Sequence, residues 1–313
     1  MSGQTLTEHG DTGPATGGRI ATAVADLAEL MAGGAVVVLS GAGLSTESGI
    51  PDYRGPSGRR VRATPMTYQS FTREAAARRR YWARSHLGWG TVARAVPNAG
   101  HRAVGQLQRT GLLAGVITQN VDGLHQAGGA HGVIELHGSL HQVICLECRE
   151  VTTREELDRR LTAANPDFHA VATVVKPDGD TDLRESQSAK FRAVGCRSCG
   201  GMLKPHVVFF GENVPMPRVR ACFELVDRAR LLLVLGSSLT VMSGRRFVLQ
   251  AARLDIPIAI VNQGETRGDR YAALTVNAPL GTVLPAVVDA LRKPHPAPRG
   301  AADASGLPCL DWR

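Results

Sequence analysis

Apolar and polar positions alternate along the chain between two patterns. From Ile20 to Met31 the apolar residues recur at helical spacing, and the pair Gly33-Gly34 predicts where this helix ends. The run from Ala35 to Leu39 is then apolar throughout. A short run without polar positions is typical of a strand that is buried on both faces of a parallel sheet.

The same two patterns predict the other elements of the main fold. Each apolar run is followed by a polar or glycine-rich loop, and stretches with helical spacing separate the runs. This alternation indicates an α/β fold with a doubly wound parallel sheet, whose ligands bind at the carboxyl edge. Further strands are predicted at 113–118, 231–235, 256–261 and 274–276, and helices at about 67–84, 98–109 and 282–291.

The alternation stops between Gly138 and Pro205. Both CxxC pairs of the sequence fall in this stretch, together with the polar run DGDTDLRESQSAK. We therefore predict a small inserted module at about residues 139–205 that cannot build an apolar core of its own and needs a staple. A helical segment is expected at about 56–95, and residues 1–17 and 294–313 are predicted to be disordered tails.

Composition changes this picture only in part. The net charge of +8 arises from 36 Lys and Arg against 28 Asp and Glu, and nearly all of the positive charge is arginine. High arginine and alanine content is typical of a GC-rich genome, so direct nucleic-acid binding is not favoured, and a negatively charged cofactor explains the charge equally well. No apolar run is long enough to span a bilayer, and neither a signal nor a transit pattern is visible. We expect a cytoplasmic protein without membrane contact.

The glycine-rich stretch GAGLSTESGIPDYRG follows the first predicted strand. Gly41 and Gly43 match the first two glycines of the dinucleotide fingerprint GxGxxG, but Thr46 stands at the third position. The acidic residue of hydride-transfer enzymes, about 20 positions further on, is also missing. The stretch is either a tight turn without a ligand or a phosphate-binding loop, and Asp52 and Arg54 in its extension favour the loop.

Four cysteines form two CxxC pairs, Cys145 with Cys148 and Cys196 with Cys199. Four thiolates suit tetrahedral zinc at about 2.3 Å per bond, and a full set of protein ligands leaves no open position for catalysis. We therefore predict a structural zinc site. Two redox-active pairs are the alternative interpretation.

His137, in ELHGS, is the candidate general base. It lies where the inserted module would join the main sheet, and a histidine there can accept a proton near neutral pH. His125 and His206 are its competitors, because either of them is equally suited by residue type.

Polar loops close three other predicted strands. Gln119, Asn120 and Asp122 supply amide and carboxylate groups suited to a carboxamide or a ribose, although each alone is an ordinary turn former. The loops Gly236-Ser237-Ser238 and Asn262-Gln263-Gly264 are suited to the remaining hydroxyls and phosphates of a nucleotide.

The motifs GAGLSTESGIPDYRG, TQNVDGLH, ELHG, KPHVVFFGE, GSSL and VNQG, with the two CxxC pairs, together resemble the sirtuins over about residues 20–291. RYWAR, PDGD and GSSLTVMSGRRF are most similar to the class II branch, which includes the mitochondrial lipoamidase-type sirtuin of animals. The resemblance implies a Rossmann-type large domain with a small zinc domain, together a sirtuin catalytic domain over residues 18–293. It also implies a bacterial-type NAD-dependent protein-lysine deacylase that consumes NAD as a co-substrate.

The resemblance further implies residue roles. His137 would act as base on the ribose hydroxyls, the four cysteines would hold zinc, and the acylated-lysine protein substrate would enter between loops 210–212 and 238–242. At the pyrophosphate the resemblance implies contacts from Gly41, Ala42, Gly43 and Ser45, with Arg54 nearby. At the nicotinamide it implies Ile50, Asp52, Asn120 and Asp122, with Tyr53 over the ring, and at the ribose it implies Gln119. The implied contacts of the adenosine half are Gly236, Ser237, Ser238 and Asn262, with Leu280 at the adenine, and Val121, Gln263 and Gly264 belong to the same loops.

One departure from the family concerns the acyl group. The Tyr-x-x-Arg pair by which desuccinylating sirtuins bind an acidic acyl chain is absent after Gly55, so strong desuccinylase activity is not expected. Arg60 and Arg62 are the remaining candidates for contact with an acidic acyl group. A protein mono-ADP-ribosyltransferase is the second hypothesis, and a non-enzymatic NAD-sensing module is the third.

Overall fold

The structure is a computed structural model that describes residues 14–52, 65–170, 178–181, 183 and 185–292. The strands are β1 (Val36–Ser40), β2 (Leu113–Thr118), β3 (Ile134–Glu135), β4 (Gly138–Cys145), β5 (Val151–Thr153), β6 (Leu203–Val207), β7 (Leu231–Leu235), β8 (Ile258–Val261) and β9 (Leu274–Val276). The helices are α1 (Pro14–Ala32), α2 (Tyr68–Arg73), α3 (Ala75–Arg94), α4 (Ala99–Arg109), α5 (Leu124–Ala127), α6 (Arg154–Ala164), α7 (Glu185–Ser188), α8 (Met216–Asp227), α9 (Met242–Arg253) and α10 (Leu280–Arg292). None of the described helices combines the length and the apolar character that a membrane crossing requires.

Six parallel strands form the main sheet in the order β3-β2-β1-β7-β8-β9. The chain runs outward from β1 twice, first through β2 and β3 and then, after the inserted module, through β7, β8 and β9. The topological switch point of this doubly wound order lies between β1 and β7, and ligands bind outside the carboxyl ends of strands at such a point. The predicted α/β fold, a Rossmann-like parallel sheet with a smaller inserted module, is confirmed.

Helices cover both faces of the main sheet. Val36 and Val38 face a core formed with α1, α4 and α10, whereas Val37 and Leu39 face a second core formed with α8 and α9. All four side chains are fully buried. Because successive residues of a strand point to opposite faces, an unbroken apolar run is what a strand between two helical layers requires.

The inserted module contains an antiparallel sheet in the order β5-β4-β6, with α6 packed against β4. Its apolar residues, among them Val143, Leu157 and Leu203, share one cluster with Phe71 and Tyr81 of the preceding helical segment. The module therefore does not build this core alone, because α2 and α3 supply part of it.

Arg154 joins the module to α3. Its guanidinium lies 5.7 Å and 5.1 Å from the ring centroids of Trp82 and Trp89. It donates to the Asp158 carboxylate and to the Ser85 carbonyl, both at 3.2 Å. Aromatic faces and a carboxylate together make burial of this cation tolerable, so it fixes α6 against α3.

The predicted helix at about 67–84 is wrong as a single element. α2 and α3 are separated at Glu74, whose backbone is extended, and α3 continues to Arg94. Arg78 of α3 donates to the carbonyl oxygen of Phe71 at 2.8 Å, so the end of α2 has a partner across the break. This side-chain contact is not visible in the spacing of apolar residues.

Other boundaries differ from the sequence predictions as well. β3 to β6 and α5 to α9 have no counterpart among the sequence predictions, and α1 begins at Pro14, within the segment expected to be a tail. Residues 1–13 and 293–313, which contain most of the two predicted tails, lie outside the described part of the chain.

The four predicted zinc ligands lie together on the turns after β4 and before β6. Their sulfur atoms are all within 4.8 Å of one another. The Sγ atoms of Cys145 and Cys199 are 3.5 Å apart, and those of Cys148 and Cys196 are 3.7 Å apart. A disulfide would bring two sulfurs to about 2.05 Å, whereas tetrahedral zinc with bonds of about 2.3 Å separates them by about 3.8 Å. The donor set fits one structural zinc ion.

Both CxxC turns have the same backbone conformation. The Arg149 N–H donates to the Cys145 carbonyl at 3.1 Å, and the Gly200 N–H donates to the Cys196 carbonyl at 3.0 Å. Arg149 and Gly200 are both left-handed, with φ values of 66° and 72°. Each turn thus orients one pair of sulfurs, and the pairing of β4 with β6 brings the two pairs together.

We expect Cys145→Ser to reduce bound zinc from about one ion per chain to a small fraction, because three thiolates bind the ion weakly. The module should then lose its fold while the main sheet persists. Atomic emission measures the zinc, and amide hydrogen exchange in β4 and β6 measures the fold. Cys222→Ala is the matched control, since Cys222 is buried in the main core away from the cluster. Full zinc content in Cys145→Ser would contradict the assignment.

Candidate functional site

The candidate site begins where the glycine loop after β1 packs on the loop after β7. A Cβ on Gly41 would lie 2.8 Å from the Cβ of Ser237, and a Cβ on Gly43 would lie 2.9 Å from the carbonyl oxygen of Gly236. Gly236 has a φ of 61°. The glycines of the GAG motif are therefore required for the close approach of two loops, independently of any ligand.

Most backbone amides of the glycine loop already have partners. The N–H groups of Gly41 and Gly43 donate to carbonyl oxygens on the β7 side at 2.9 Å and 2.8 Å, and the two after Gly43 donate within the turn at 3.0 Å each. Among residues 41–45, all of which the structure describes, the Ala42 amide is the one without a carbonyl partner. A phosphate at this loop would be met mainly by that amide.

The loop after β2 is hydrogen-bonded to the glycine loop. Asn120 Nδ2 donates to the Gly41 carbonyl at 3.1 Å and to Ser45 Oγ at 3.0 Å. Ser45 Oγ in turn donates to Asp122 Oδ2 at 2.7 Å, and Asp122 Oδ1 accepts the Leu124 N–H at 3.0 Å. Ser45, Asn120 and Asp122 are all buried. These side chains are held in place by the protein itself, which is the preorganisation that a binding site requires.

His137 lies where the chain passes from β3 of the main sheet to β4 of the small one. Its Nδ1 is 2.9 Å from the carbonyl oxygen of Gln119, and its Nε2 is 2.8 Å from Ser243 Oγ. A carbonyl oxygen only accepts, so Nδ1 carries the proton and Nε2 of the neutral ring is the basic nitrogen. A Cβ on Gly138, which has a φ of 85°, would lie 2.0 Å from the His206 carbonyl oxygen. Glycine is therefore required directly after His137.

Burial lowers the pKa of His137 below its ordinary value of about 6.5. The hydrogen bond to the Gln119 carbonyl acts in the opposite direction, and the positive charges of Arg218 and Arg246 lower this pKa further. The imidazole is therefore neutral at neutral pH and able to take up a proton.

The two competing histidines have structural positions. His125 is 1% exposed, its Nε2 is 2.7 Å from Ser40 Oγ, and burial lowers its pKa to about 3. Its ring meets that of His101 edge-on, and burial lowers the pKa of His101 to about 4. His206 lies in the small sheet, where its Nδ1 is 2.9 Å from Gln142 Oε1. Of the described histidines, His137 is the one that lines the cavity.

A cavity of about 540 Å³ lies at the carboxyl ends of β1, β2, β7 and β8. Leu280 lines an adjoining cavity of about 160 Å³ that shares Gly43 and Asn262 with the first. Tyr53 and Arg54 lie outside the described residues. The structure brings the other predicted base and NAD residues together on the lining of the larger cavity, namely Gly41, Ala42, Gly43, Ser45, Ile50, Asp52, Gln119, Asn120, Val121, Asp122, His137, Gly236, Ser237, Ser238, Asn262, Gln263 and Gly264.

The charged side chains that line this cavity are all acidic among the residues that the structure describes. No lysine or arginine among the described residues lines it, and the acidic ones are Asp52, Asp122, Asp178, Glu212 and Glu265. A negatively charged acyl chain would therefore lack a cationic partner in the described lining. Arg60 and Arg62, the candidates from the sequence for contact with such a chain, lie outside the described residues.

A buried ion pair fixes another wall of the cavity. Lys204 Nζ is 3.0 Å from Glu212 Oε2 and 4.8 Å from the ring centroid of Phe209. The same carboxylate oxygen accepts the Phe209 N–H at 2.9 Å. Burial lowers the pKa of Lys204, and Glu212 opposes this effect. Phe210, between the fixed residues, is 42% exposed and remains available to a ligand.

Sequence reasoning missed Ser243, which the structure places against the base. Its signal in the sequence is weak, because a serine near the start of a helix is usually a capping residue. Thr240 and Val241 line the cavity beside it.

The profile of the Sir2 family matches residues 41–243, more than half of the chain. NAD-dependent protein deacetylase 1 of Streptomyces coelicolor is 62% identical over 270 residues, which cover 86% of this chain and 90% of that protein. NAD-dependent protein deacylase Sirt4 of Drosophila melanogaster is 44% identical over 257 residues, which cover 81% of this chain and 82% of that protein.

Solved structures show the same relationship. The structure of Sir2 with a p53 peptide and NAD+ is 32% identical, with a TM-score of 0.63 over 81% of this chain and 92% of that one. Sir2Tm bound to a propionylated peptide is 31% identical, with a TM-score of 0.63 over 81% and 92%. The doubly wound sheet, the cysteine cluster and these similarities agree, and the chain belongs to the Sir2 family, the NAD-dependent protein deacetylases.

Proposed function

We propose that this protein is an NAD-dependent protein-lysine deacylase with His137 as its general base. Nicotinamide leaves NAD, the acyl group passes from lysine to ADP-ribose, and free lysine is released with the consumption of one water molecule. One observation carries the proposal. The basic nitrogen of a neutral, partly buried histidine belongs to the same cavity as the loops that follow β1, β2, β7 and β8.

The base step follows from the contacts of the imidazole. A ribose hydroxyl gives its proton to Nε2 of His137, and the electron pair of the broken O–H bond stays on the ribose oxygen. The Gln119 carbonyl accepts from Nδ1 both before and after this transfer, so the ring keeps its orientation. A lowered pKa keeps the base unprotonated until the hydroxyl arrives.

The remaining predicted residues are proposed to hold NAD. Asn120 and Asp122 would meet the carboxamide, and the Ala42 amide and Ser45, which is bonded to both of those side chains, would meet the pyrophosphate. The loops after β7 and β8 would hold the adenosine half, with Leu280 beside the adenine in the adjoining cavity.

The acylated-lysine segment is proposed to lie between the wall containing Phe210 and the loop that leads into α9. Phe210 and Met242 are 42% and 48% exposed on the two sides of this entrance. Backbone pairing with an extended peptide there would make its sequence a weak determinant. We also propose membership of the class II branch, on the motifs RYWAR, PDGD and GSSLTVMSGRRF. The cytoplasmic location stays a prediction.

We expect His137→Ala and Asn120→Ala each to lower kcat/KM for deacylation by about 10²-fold to 10⁴-fold. The first variant removes the base, and the second removes the amide that is hydrogen-bonded to Ser45 and to the glycine loop. Mass spectrometry of an acetyl-lysine peptide with NAD measures the reaction, and circular dichroism checks that both variants fold. His206→Ala is the matched control, since that histidine lies in the small sheet. Wild-type activity in His137→Ala would remove the assignment.

The pH dependence should show the lowered pKa of His137. The base is competent above its pKa, so kcat/KM should decline towards acidic pH with a midpoint below about 6.5, the ordinary histidine value. His101 and His125, with pKa values of about 4 and 3, do not titrate near that value. Steady-state rates between about pH 5 and pH 8 test this. An acidic limb with a midpoint above about 6.5 would contradict it.

The charge of the lining predicts the acyl preference. Acetyl-lysine and lipoyl-lysine peptides should react at least about tenfold faster than a glutaryl-lysine peptide, because the described lining carries carboxylates and no cation. Rates on this panel, read by mass spectrometry, check the order. Equal rates would refute it. Gain of an ADP-ribose mass on the protein target, without loss of the acyl group, would instead support the mono-ADP-ribosyltransferase.

A further inference from the structure

The basic nitrogen of His137 already has a partner in the protein. Ser243 Oγ lies 2.8 Å from Nε2, and both residues line the cavity. Because the Gln119 carbonyl fixes the proton on Nδ1, the hydroxyl must donate to Nε2 while the ring is neutral. A hydroxyl thus occupies the nitrogen that is to receive the proton of the substrate.

Ser243 is the second residue of α9, inside the helix and not at its N-cap. The N-cap of α9 is Val241, which makes no side-chain capping bond, and the Ser243 hydroxyl is directed at the imidazole instead. The next residue, Gly244, is also required to be small. A Cβ on Gly244 would lie 2.4 Å from Gln119 Oε1. Ser243 therefore contacts His137 directly, and Gly244 leaves space for Gln119, whose carbonyl contacts the other nitrogen of the ring.

We propose that Ser243 is a positioning residue for the base, holding Nε2 of His137 through a hydrogen bond whose direction reverses when the imidazole takes up a proton. The proposal rests on the proposed function, in which His137 accepts a proton from a ribose hydroxyl. Nε2 has a single lone pair, so the Ser243 hydroxyl rotates away from it while the ribose hydroxyl donates, and it then accepts from the Nε2–H that results.

The reversal follows from what a hydroxyl is able to do. Serine is both donor and acceptor, so it donates to the neutral Nε2 and then accepts from the Nε2–H of the imidazolium. Its bond to the charged ring is the stronger of the two, because hydrogen bonds with an ionised partner are about twice as strong as neutral ones. Ser243 thus stabilises the state that forms during catalysis more than the resting state, which is how an interaction lowers a barrier.

The charged surroundings of His137 make this partner necessary. Arg218 on α8 and Arg246 on α9 both disfavour the imidazolium, and burial does so more strongly. The start of α9 adds the positive end of a helix dipole near the ring. No carboxylate contributes to the pKa of His137 among the described groups. Gln119 and Ser243 supply the acceptors that the two N–H groups of the imidazolium require.

The test compares the full-length wild type with Ser243→Ala and Ser243→Thr. In Ser243→Ala we expect kcat for deacylation to fall about tenfold without a rise in KM for NAD. The pKa of His137 in the NAD-free protein, followed by ¹⁵N NMR of its ring, should fall by a further half unit to about one unit. Ser243→Thr keeps a hydroxyl and should restore most of both quantities. Gln250→Ala, a change further along α9 at a residue that does not line the cavity, is the control for helix damage.

Each outcome decides the proposal. A lower kcat with a lower His137 pKa in Ser243→Ala, restored by threonine, supports it. An unchanged pKa, or an equal loss in Ser243→Thr, overturns it, because either result would indicate altered helix packing rather than a lost hydroxyl. If the wild type releases no lysine product at all, the proposed function fails. The NMR titration of the NAD-free protein would still test the contact between Ser243 and His137.

Discussion

The close contact between the loops after β1 and β7 is the constraint on which the site depends. These strands are neighbours at the centre of the sheet, and the chain leaves them towards opposite edges of the sheet. A crevice for a ligand lies outside their carboxyl ends at such a point. Glycines at 41, 43 and 236 allow the two backbones to meet without side chains between them. The loop after β2 is then bonded to this pair through Ser45 and Asn120. A rigid three-loop frame results, and the cavity opens on it.

His137, the proposed base, is held by contacts from three separate segments of the chain. The Gln119 carbonyl from the β2 loop sets its tautomer, and Ser243 from α9 meets its other nitrogen. The carbonyl of His137 itself accepts the Val208 N–H at 2.7 Å, just after the small sheet. Main sheet and small module thus meet at this residue, and its geometry depends on how the two are joined.

The small module is stabilised in two physically distinct ways. Its cysteine cluster is local, because the two identical turns each present a pair of sulfurs to one point. Its apolar core is shared, since β4, β6 and α6 pack on the aromatic residues of α2 and α3. The ion pair between Lys204 of β6 and Glu212 connects the small sheet to the wall of the cavity. Loss of zinc should therefore change the wall of the cavity that contains Glu212, in addition to the cysteine cluster.

The sequence by itself determined the parallel sheet, the zinc ligands and most of the cavity lining. Buried strands are read from unbroken apolar runs, and parallel strands bring their following loops to one edge. CxxC spacing likewise carries its own geometry. The tertiary structure alone decided which of the three candidate histidines lines the cavity, since His125 and His206 differ from His137 only in surroundings. It also decided the break at Glu74, the shared core and the contact of Ser243 with Nε2. These features depend on contacts between segments that are far apart in the chain, and the local spacing of residues does not predict such contacts.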